Sequence, residues 1–291
     1  FSRNFLDSPN ERSSHKVAIP TGGGISFVLA STITCSLFNY WVPLTCIPLS
    51  IIGFIDDRKN ISAKIRYVVQ IITVIFLIMQ SNLYKTYEIF DLNYPGHILF
   101  FLLLIFVGTA IINFVNFMDG LDGILGLNLV IIFLVAVFLG QLGIMPIALG
   151  LIAFLIWNWP PAKIFMGDVG STFLGAIYFG IIINFESIND AFSFLLIGLP
   201  LLGDAFICIV RRFFNRQNIF TPHKSHLYQR LNQAGISHKN VSLIYASLTS
   251  IACLYIFLLK LLYIPVYFIF LISVYIYMDK FLAIPFIKRS K

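Results

Sequence analysis

Cysteine and charge are both scarce in this sequence, and each scarcity closes a class of answers. Only four cysteines occur, Cys35, Cys46, Cys208 and Cys253, all inside apolar runs and none at metal-ligand spacing. That excludes a disulfide framework and reads as packing. Asp, Glu, Lys and Arg make up only 11% of the 291 residues, against about 25% in a soluble globular domain. With 58% hydrophobic residues and a mean hydropathy of +0.88, this is a membrane protein. No internal repeat, low-complexity tract, appended polar domain or signal peptide is visible. The chain opens on Phe1 without an initiator Met, so removal of a preceding segment is expected.

What is abundant agrees with a bilayer. Thirty Phe and thirteen Tyr suit a lipid-facing surface and its interfaces. A net charge of +7 raises nucleic acid as a partner. The basic residues, however, are spread over separate loops instead of forming one patch, and no nucleic-acid partner is expected. Apolar runs fall at about 24–41, 43–55, 65–80, 98–115, 124–140, 143–158, 170–185, 191–210, 240–259 and 262–278. All but the short second run have the length of a spanning helix, so the expected fold is an all-α, polytopic, ten-span bundle forming a single domain over 1–291. With both termini in the cytoplasm, only Lys85 and Lys260 of the twenty Lys and Arg lie outside, which sets the orientation by the positive-inside rule. The same split puts Asp7, His15, Asp56, Asp57, Asp119, Asp122, Asp168, His223 and His226 on the cytoplasmic face.

The most informative stretch is Asn113–Gly123, where Asn113, Asn116, Asp119 and Asp122 recur every third residue at the end of an apolar run. On a helix these form one slowly winding polar stripe. Beside lipid such a stripe persists only against a wet cavity or a partner, which marks a functional site. The bland alternative is a polar helix end that meets solvent. Asp56 and Asp57 follow an apolar run and precede Arg58, Lys59, Lys64 and Arg66. This suits a phosphate or metal site, or equally an interfacial cap neutralised by its neighbours.

Asn158–Thr172 ends one run and opens the next. Gly167, Gly170, Ser171 and Thr172 offer free amides at a helix start, a natural anion position, with Asp168 available for Mg²⁺ or acting as the cap. Phe165 is either lipid-facing or a stacking platform. Pro20–Gly24 reads as a flexible linker or as a loop lying against a phosphate. The polar segment 211–240 is expected to hold a short amphipathic helix near Ser225–Gln233. His223 and His226 have the spacing of helical zinc ligands, but the sequence nearby supplies no third Cys or His, which argues against zinc and for an anionic group. His97 and His238 read as ordinary surface residues. Asp204 either pairs with Arg211 and Arg212 or lines the site.

Leu6–His15, Asp56-Asp57, Asn113–Gly123, Phe165–Thr172 and His223–His226, in this order, resemble the polyprenyl-phosphate N-acetylhexosamine-1-phosphate transferases of glycosyltransferase family 4. The His-Lys-Ser-His-Leu-Tyr-Gln loop is most similar to the branch that initiates O-antigen and related lipopolysaccharide glycans. Ile19–Gly24 and the lack of a triple His depart from the peptidoglycan branch, which transfers phospho-N-acetylmuramoyl-pentapeptide. The resemblance implies eleven spans, the first expected to be missing here, in the bacterial inner membrane with a cytoplasmic active site.

It also implies a reaction, in which a polyprenyl (undecaprenyl) phosphate attacks the β-phosphorus of a UDP-linked N-acetylated sugar and UMP leaves. Asn116 and Asp168 would hold Mg²⁺, with Mn²⁺ as a substitute. Phe165 would stack on uracil, and Asp122 and Asn158 would help bind the nucleoside. Asp56 and Asp57 would orient or deprotonate the lipid phosphate, with Asp119, His223 and His226 grouped among the catalytic residues. Lys64, Asn113 and Arg212 are grouped among the substrate contacts, and a homodimer is compatible with the family. Two other classes compete. An ion-coupled transporter predicts acids near the midplane and two matching halves. A prenyltransferase calls for two Asp-x-x-Asp clusters, and only Asp119-x-x-Asp122 is present.

Overall fold

The computed structural model describes residues 6–7, 17–59, 61–87, 95–219, 221, 223–259 and 264–286. Most of Leu6–His15, including His15, lies outside the described residues. In chain order the α-helices are α1 (Gly24–Leu37), α2 (Val42–Lys59), α3 (Ala63–Gln80), α4 (Asn82–Tyr87), α5 (Pro95–Phe117), α6 (Ile124–Phe138) and α7 (Met145–Asn158). They continue with α8 (Asp168–Ile183), α9 (Ile188–Ile197), α10 (Leu199–Phe214), α11 (Leu227–Gln233), α12 (His238–Leu259) and α13 (Ile264–Tyr277), the last extended by a π-helical turn, Met278–Leu282. The one extended pairing among the described residues is antiparallel, β1 (Leu6–Asp7) with β2 (Ile19–Pro20). Apart from that clip the all-α expectation holds.

Helix occupies each of the ten apolar runs, but the helices differ in length. By length and composition α3, α5, the 238–256 part of α12, and α13 with its π-helical turn can cross a membrane, and α9 with α10 makes a fifth if counted as one. Apolar side chains such as Leu99, Leu102, Leu103 and Phe106 on α5 stay exposed, as a lipid-facing surface requires. The run 191–210, expected as one span, bends by 75° between α9 and α10. Pro200 at the start of α10 has no amide hydrogen to continue the ladder. The Tyr178 hydroxyl fills the break, accepting from Gly198 N at 3.1 Å and lying 2.9 Å from Phe194 O and 3.0 Å from Leu195 O. The freed backbone groups are thus satisfied without water.

α8 is the axis of the bundle. Every residue from Val169 to Ile183 is buried, as expected of a helix that is apolar all round. α2 and α5 are its main neighbours, with α1 and α3 beside them. Contact with α2 is close because Gly53 faces the backbone of Asp168, where a Cβ would lie 2.5 Å from a carbonyl carbon and oxygen. The N-termini of α3 and α8 and the C-termini of α2 and α5 therefore meet at one end of the bundle.

Candidate active site

α2 does not stop where its apolar run ends. Its last turn carries Asp56 and Asp57, and the Asp57 carboxylate accepts from the amides of Asp168 (2.9 Å) and Val169 (3.4 Å) at the start of α8. Asp57 is therefore the cap of α8, supplied from another helix, and Asp168 is not its own cap. The next amides, Gly170 N and Ser171 N, turn back to Gly167 O at 3.0 and 3.1 Å. The helix start thus does not present the free amides expected for an anion. Gly167 adopts φ +71°, and a side chain there would strike the Asp57 carboxylate, so both backbone and space require glycine. Asp56 accepts from Ile61 N at 2.6 Å and from Arg66 Nη1 at 2.7 Å. Arg66 also reaches Asp168 Oδ2 at 3.4 Å. Lys64, two residues before Arg66, is exposed.

The polar stripe is half helix and half turn. α5 ends at Phe117, so Asn113 and Asn116 project from its last two turns while Asp119 and Asp122 sit in the turn before α6. Asn113 Nδ2 donates to Gln70 Oε1 (2.8 Å) and to Thr109 O (2.7 Å), and Asn116 Oδ1 accepts from Ser171 Oγ at 3.1 Å. Asp122 accepts from Ala162 N at 3.0 Å, and its other oxygen lies 3.2 Å from His238 Nδ1. His238 is thus part of the site region and not an ordinary surface residue. Asn158 accepts from Gly123 N and donates to Ile164 O, both at 3.0 Å. Asp122 and Asn158 together stitch the loop that carries Phe165 to the acidic turn.

Asp119 behaves differently. Half-buried, its carboxylate enters no hydrogen bond or ion pair among the described residues. Burial, and then the charges of Asp168, Asp57 and Asp122, push its carboxyl well above the usual carboxylate range. Four acids thus gather here, and among the described residues Arg66 reaches Asp168 while the His238 ring lies beside Asp122. Asp119, Asp168 and the Asn116 amide offer oxygen, the donor type a hard divalent cation takes, although the acids do not converge into a three-ligand cluster among the described residues.

Pro20–Gly24 is neither a free linker nor an amide cradle. Phe165 N donates to Pro20 O at 2.8 Å, Gly23 N to Phe165 O at 2.9 Å, and Gly24 N to Met166 O at 3.0 Å. This backbone pairing holds the half-buried Phe165 beside the start of α8.

The loop after α10 borders the same end. His226 occupies the N-cap position of α11, which begins close to the expected Ser225, and its ring stacks on that of His223 with centroids 5.0 Å apart. Burial, and then the charges of His226 and Arg212, push His223 down to about 3. Arg212 is buried and donates to Asn218 O and to Thr221 Oγ1, the latter at 3.0 Å, so it shapes the loop. Asp204 takes neither expected place. It accepts from Leu227 N (2.8 Å), Tyr228 N (2.9 Å) and Tyr245 Oη (2.5 Å), while Arg211 pairs with Asp279. Tyr228 Oη donates to Phe117 O at 2.8 Å and so joins α11 to the end of α5. Cys208, read as a packing residue, lies beside both histidines and supplies the third donor that the sequence nearby lacks.

Gln70, His238 and Tyr228 are site-region residues that sequence reasoning did not select, while Arg66 and Ser171 figure there only as one of several cations and as a helix-start amide. Arg66, Gln70 and Thr73 do leave a trace, since they recur at helical spacing on the otherwise apolar α3.

Residues 40–186 match the profile of glycosyl transferase family 4. Among curated proteins, a "Probable undecaprenyl-phosphate N-acetylglucosaminyl 1-phosphate transferase" of Bacillus subtilis is 28% identical over 80% of this chain and 71% of its own length. An "Undecaprenyl-phosphate alpha-N-acetylglucosaminyl 1-phosphate transferase" of Thermotoga maritima is 32% identical over 77% of this chain and 72% of its own. A protein of the same name from Escherichia coli K12 is 29% identical over 86% and 76%.

Proposed function

Because the chain belongs to glycosyl transferase family 4, we propose that it transfers N-acetylglucosamine 1-phosphate from the UDP-sugar to undecaprenyl phosphate. An oxygen of the lipid phosphate forms a bond to the β-phosphorus. The bond from that phosphorus to the bridging oxygen of UMP breaks, and UMP leaves with the electron pair. The lipid pyrophosphate sugar begins a cell-envelope glycan of the O-antigen type. The site faces the cytoplasm of a bacterial inner membrane crossed ten times.

The observation that carries this reading is the Asp119 carboxylate, which has no hydrogen-bond or ion-pair partner among the described residues and lies near Asp57, Asp122 and Asp168. A cluster of that charge calls for a divalent cation, and Asp168, Asn116 and Asp119 are the residues that would hold Mg²⁺ or Mn²⁺. Such an ion supplies neutralisation of the pyrophosphate charge, the main requirement of phosphoryl transfer besides positioning. Phe165 offers its ring to uracil. Asp122 and Asn158 fix the loop that presents that ring. Asp57 holds the α8 start in place, and Arg66, held by Asp56, orients the lipid phosphate. His223, His226 and Arg212 shape the loop at the sugar end.

The transporter alternative fits less well, because the acids gather at one end of the bundle and no two halves match. The peptidoglycan alternative lacks support in the relatives' names. The test is to incubate the purified protein with undecaprenyl phosphate, Mg²⁺ and a panel of UDP-sugars and to identify the released nucleotide. UMP with UDP-N-acetylglucosamine is expected. Release of UDP would mean simple glycosyl transfer and would sink the reading.

A further inference from the structure

A second cluster, of different chemistry, lies between α10 and the loop that precedes α11. Cys208, His223 and His226 each bring one ligand atom to within 4.8 Å of the others. Cys208 and His226 are 1% and 3% exposed, and His223 is half-buried. We propose that Cys208, His223 and His226 form a site for a soft divalent transition metal of the zinc class, three protein ligands leaving the fourth tetrahedral position to water.

Three observations support the assignment. The donor set is one sulfur and two imidazoles, which selects zinc-like ions as firmly as the oxygen set around Asp119 selects Mg²⁺. Zinc bonds of about 2.0–2.3 Å place ligand atoms roughly 3.5 Å apart, so closure needs a movement of about 1 Å. Secondly, His226 Nδ1 is buried without a hydrogen-bond partner among the described residues, 3.8 Å from Asp204 Oδ1. A carboxylate behind an imidazole is the usual arrangement that orients a metal-bound histidine. The third observation is the charge of Asp204 itself. It is wholly buried, hydrogen-bonded by two amides and a phenol, and the basic side chain nearest to it is the His226 imidazole, itself one of the three ligands.

A buried carboxylate calls for a compensating positive group. A dication bound to the Cys208 thiolate beside it balances both negative charges. Arg212, also near His223, is directed into its own loop by Asn218 O and Thr221 Oγ1. The contact that metal binding replaces is the long one from Ser225 N to His223 Nδ1, at 3.3 Å. The ion would pin the loop to α10 and, through Tyr228, to the end of α5. The proposal does not depend on the transfer reaction.

The test uses full-length protein purified without any immobilised-metal step. Elemental analysis is expected to find about one zinc per chain, falling to background in Cys208→Ala and staying unchanged in Cys46→Ala. Replacement of zinc by Co²⁺ is expected to give a thiolate-to-cobalt charge-transfer band in the unmodified protein. That measurement decides the matter even if Cys208→Ala fails to fold. A protein that takes up neither zinc nor Co²⁺ would overturn the site. Zinc retained in full by folded Cys208→Ala would overturn it as well.

Discussion

Gly53→Ala tests whether the spacing of two helices sets the reaction. The new Cβ would lie 2.5 Å from the Asp168 carbonyl carbon and oxygen, where ordinary contact begins near 3.4 Å. Backbone cannot rotate out of the way as a flexible side chain can, so α2 and α8 must part by about 1 Å, at a cost of about 1–3 kcal/mol in stability. The bond from Asp168 N to Asp57, now 2.9 Å, then lengthens beyond useful range. Asp57 and Asp168 drift apart by the same amount, and a displacement of about 1 Å in a catalytic constellation costs roughly 100-fold in turnover. The assay is UMP release per folded protein at saturating substrates, with thermal unfolding in detergent to score folding. Gly203→Ala on α10, where a Cβ meets nothing within 4 Å, is the matched control and should be silent or slightly stabilising. Unchanged turnover in folded Gly53→Ala would refute the idea that this contact sets the site.

Other outcomes follow from the same geometry. Asp119→Asn should abolish most turnover yet raise the melting temperature in metal-free buffer, because it removes a group whose ionised form is disfavoured by burial and then by three neighbouring acids. The stabilisation by Mg²⁺, about 2.7 kcal/mol at 100 times its dissociation constant, should shrink in the same variant when melting is repeated with the ion. Phe165→Ala should weaken UDP-sugar binding by about 1–3 kcal/mol, the scale of base–aromatic stacking, readable as a rise in KM. Arg66→Gln should lower turnover by about tenfold, the order of one hydrogen bond to a charged group, without affecting nucleotide affinity measured by competition with UMP. Exchanging 211–240 for the matching loop of a relative with different specificity should change the UDP-sugar used, scored by product mass, while the Mg²⁺ requirement persists.

Much of this was legible in the sequence, and what was not shares one physical cause. The apolar run that becomes α8, the acids at its mouth and the start of α11 all follow from local period and polarity. Asp57 was visible as a charged residue at a helix end. Its use as a cap for a helix 111 positions later was not, because a side chain capping another element leaves no periodic trace. Asp204 shows the same limit, passing over the arginines on its own helix to hold amides 23 and 24 residues away. His238 looked isolated because its partner Asp122 is 116 residues earlier, and Cys208 looked like packing because its neighbours belong to a loop. The bend at Gly198 had a local sign, Pro200, but the uniform hydropathy of the run outweighed it.

The length of α8 has a consequence for the lipid. Sixteen residues rise about 24 Å, short of a hydrocarbon core of about 30 Å, and no neighbour leaves this helix open to acyl chains. A helix of that length cannot reach both headgroup layers at once, so in a bilayer of that thickness one of its ends sits below them. On the proposed function, an Asp168 end at that depth would let the lipid phosphate meet the nucleotide sugar without leaving the leaflet.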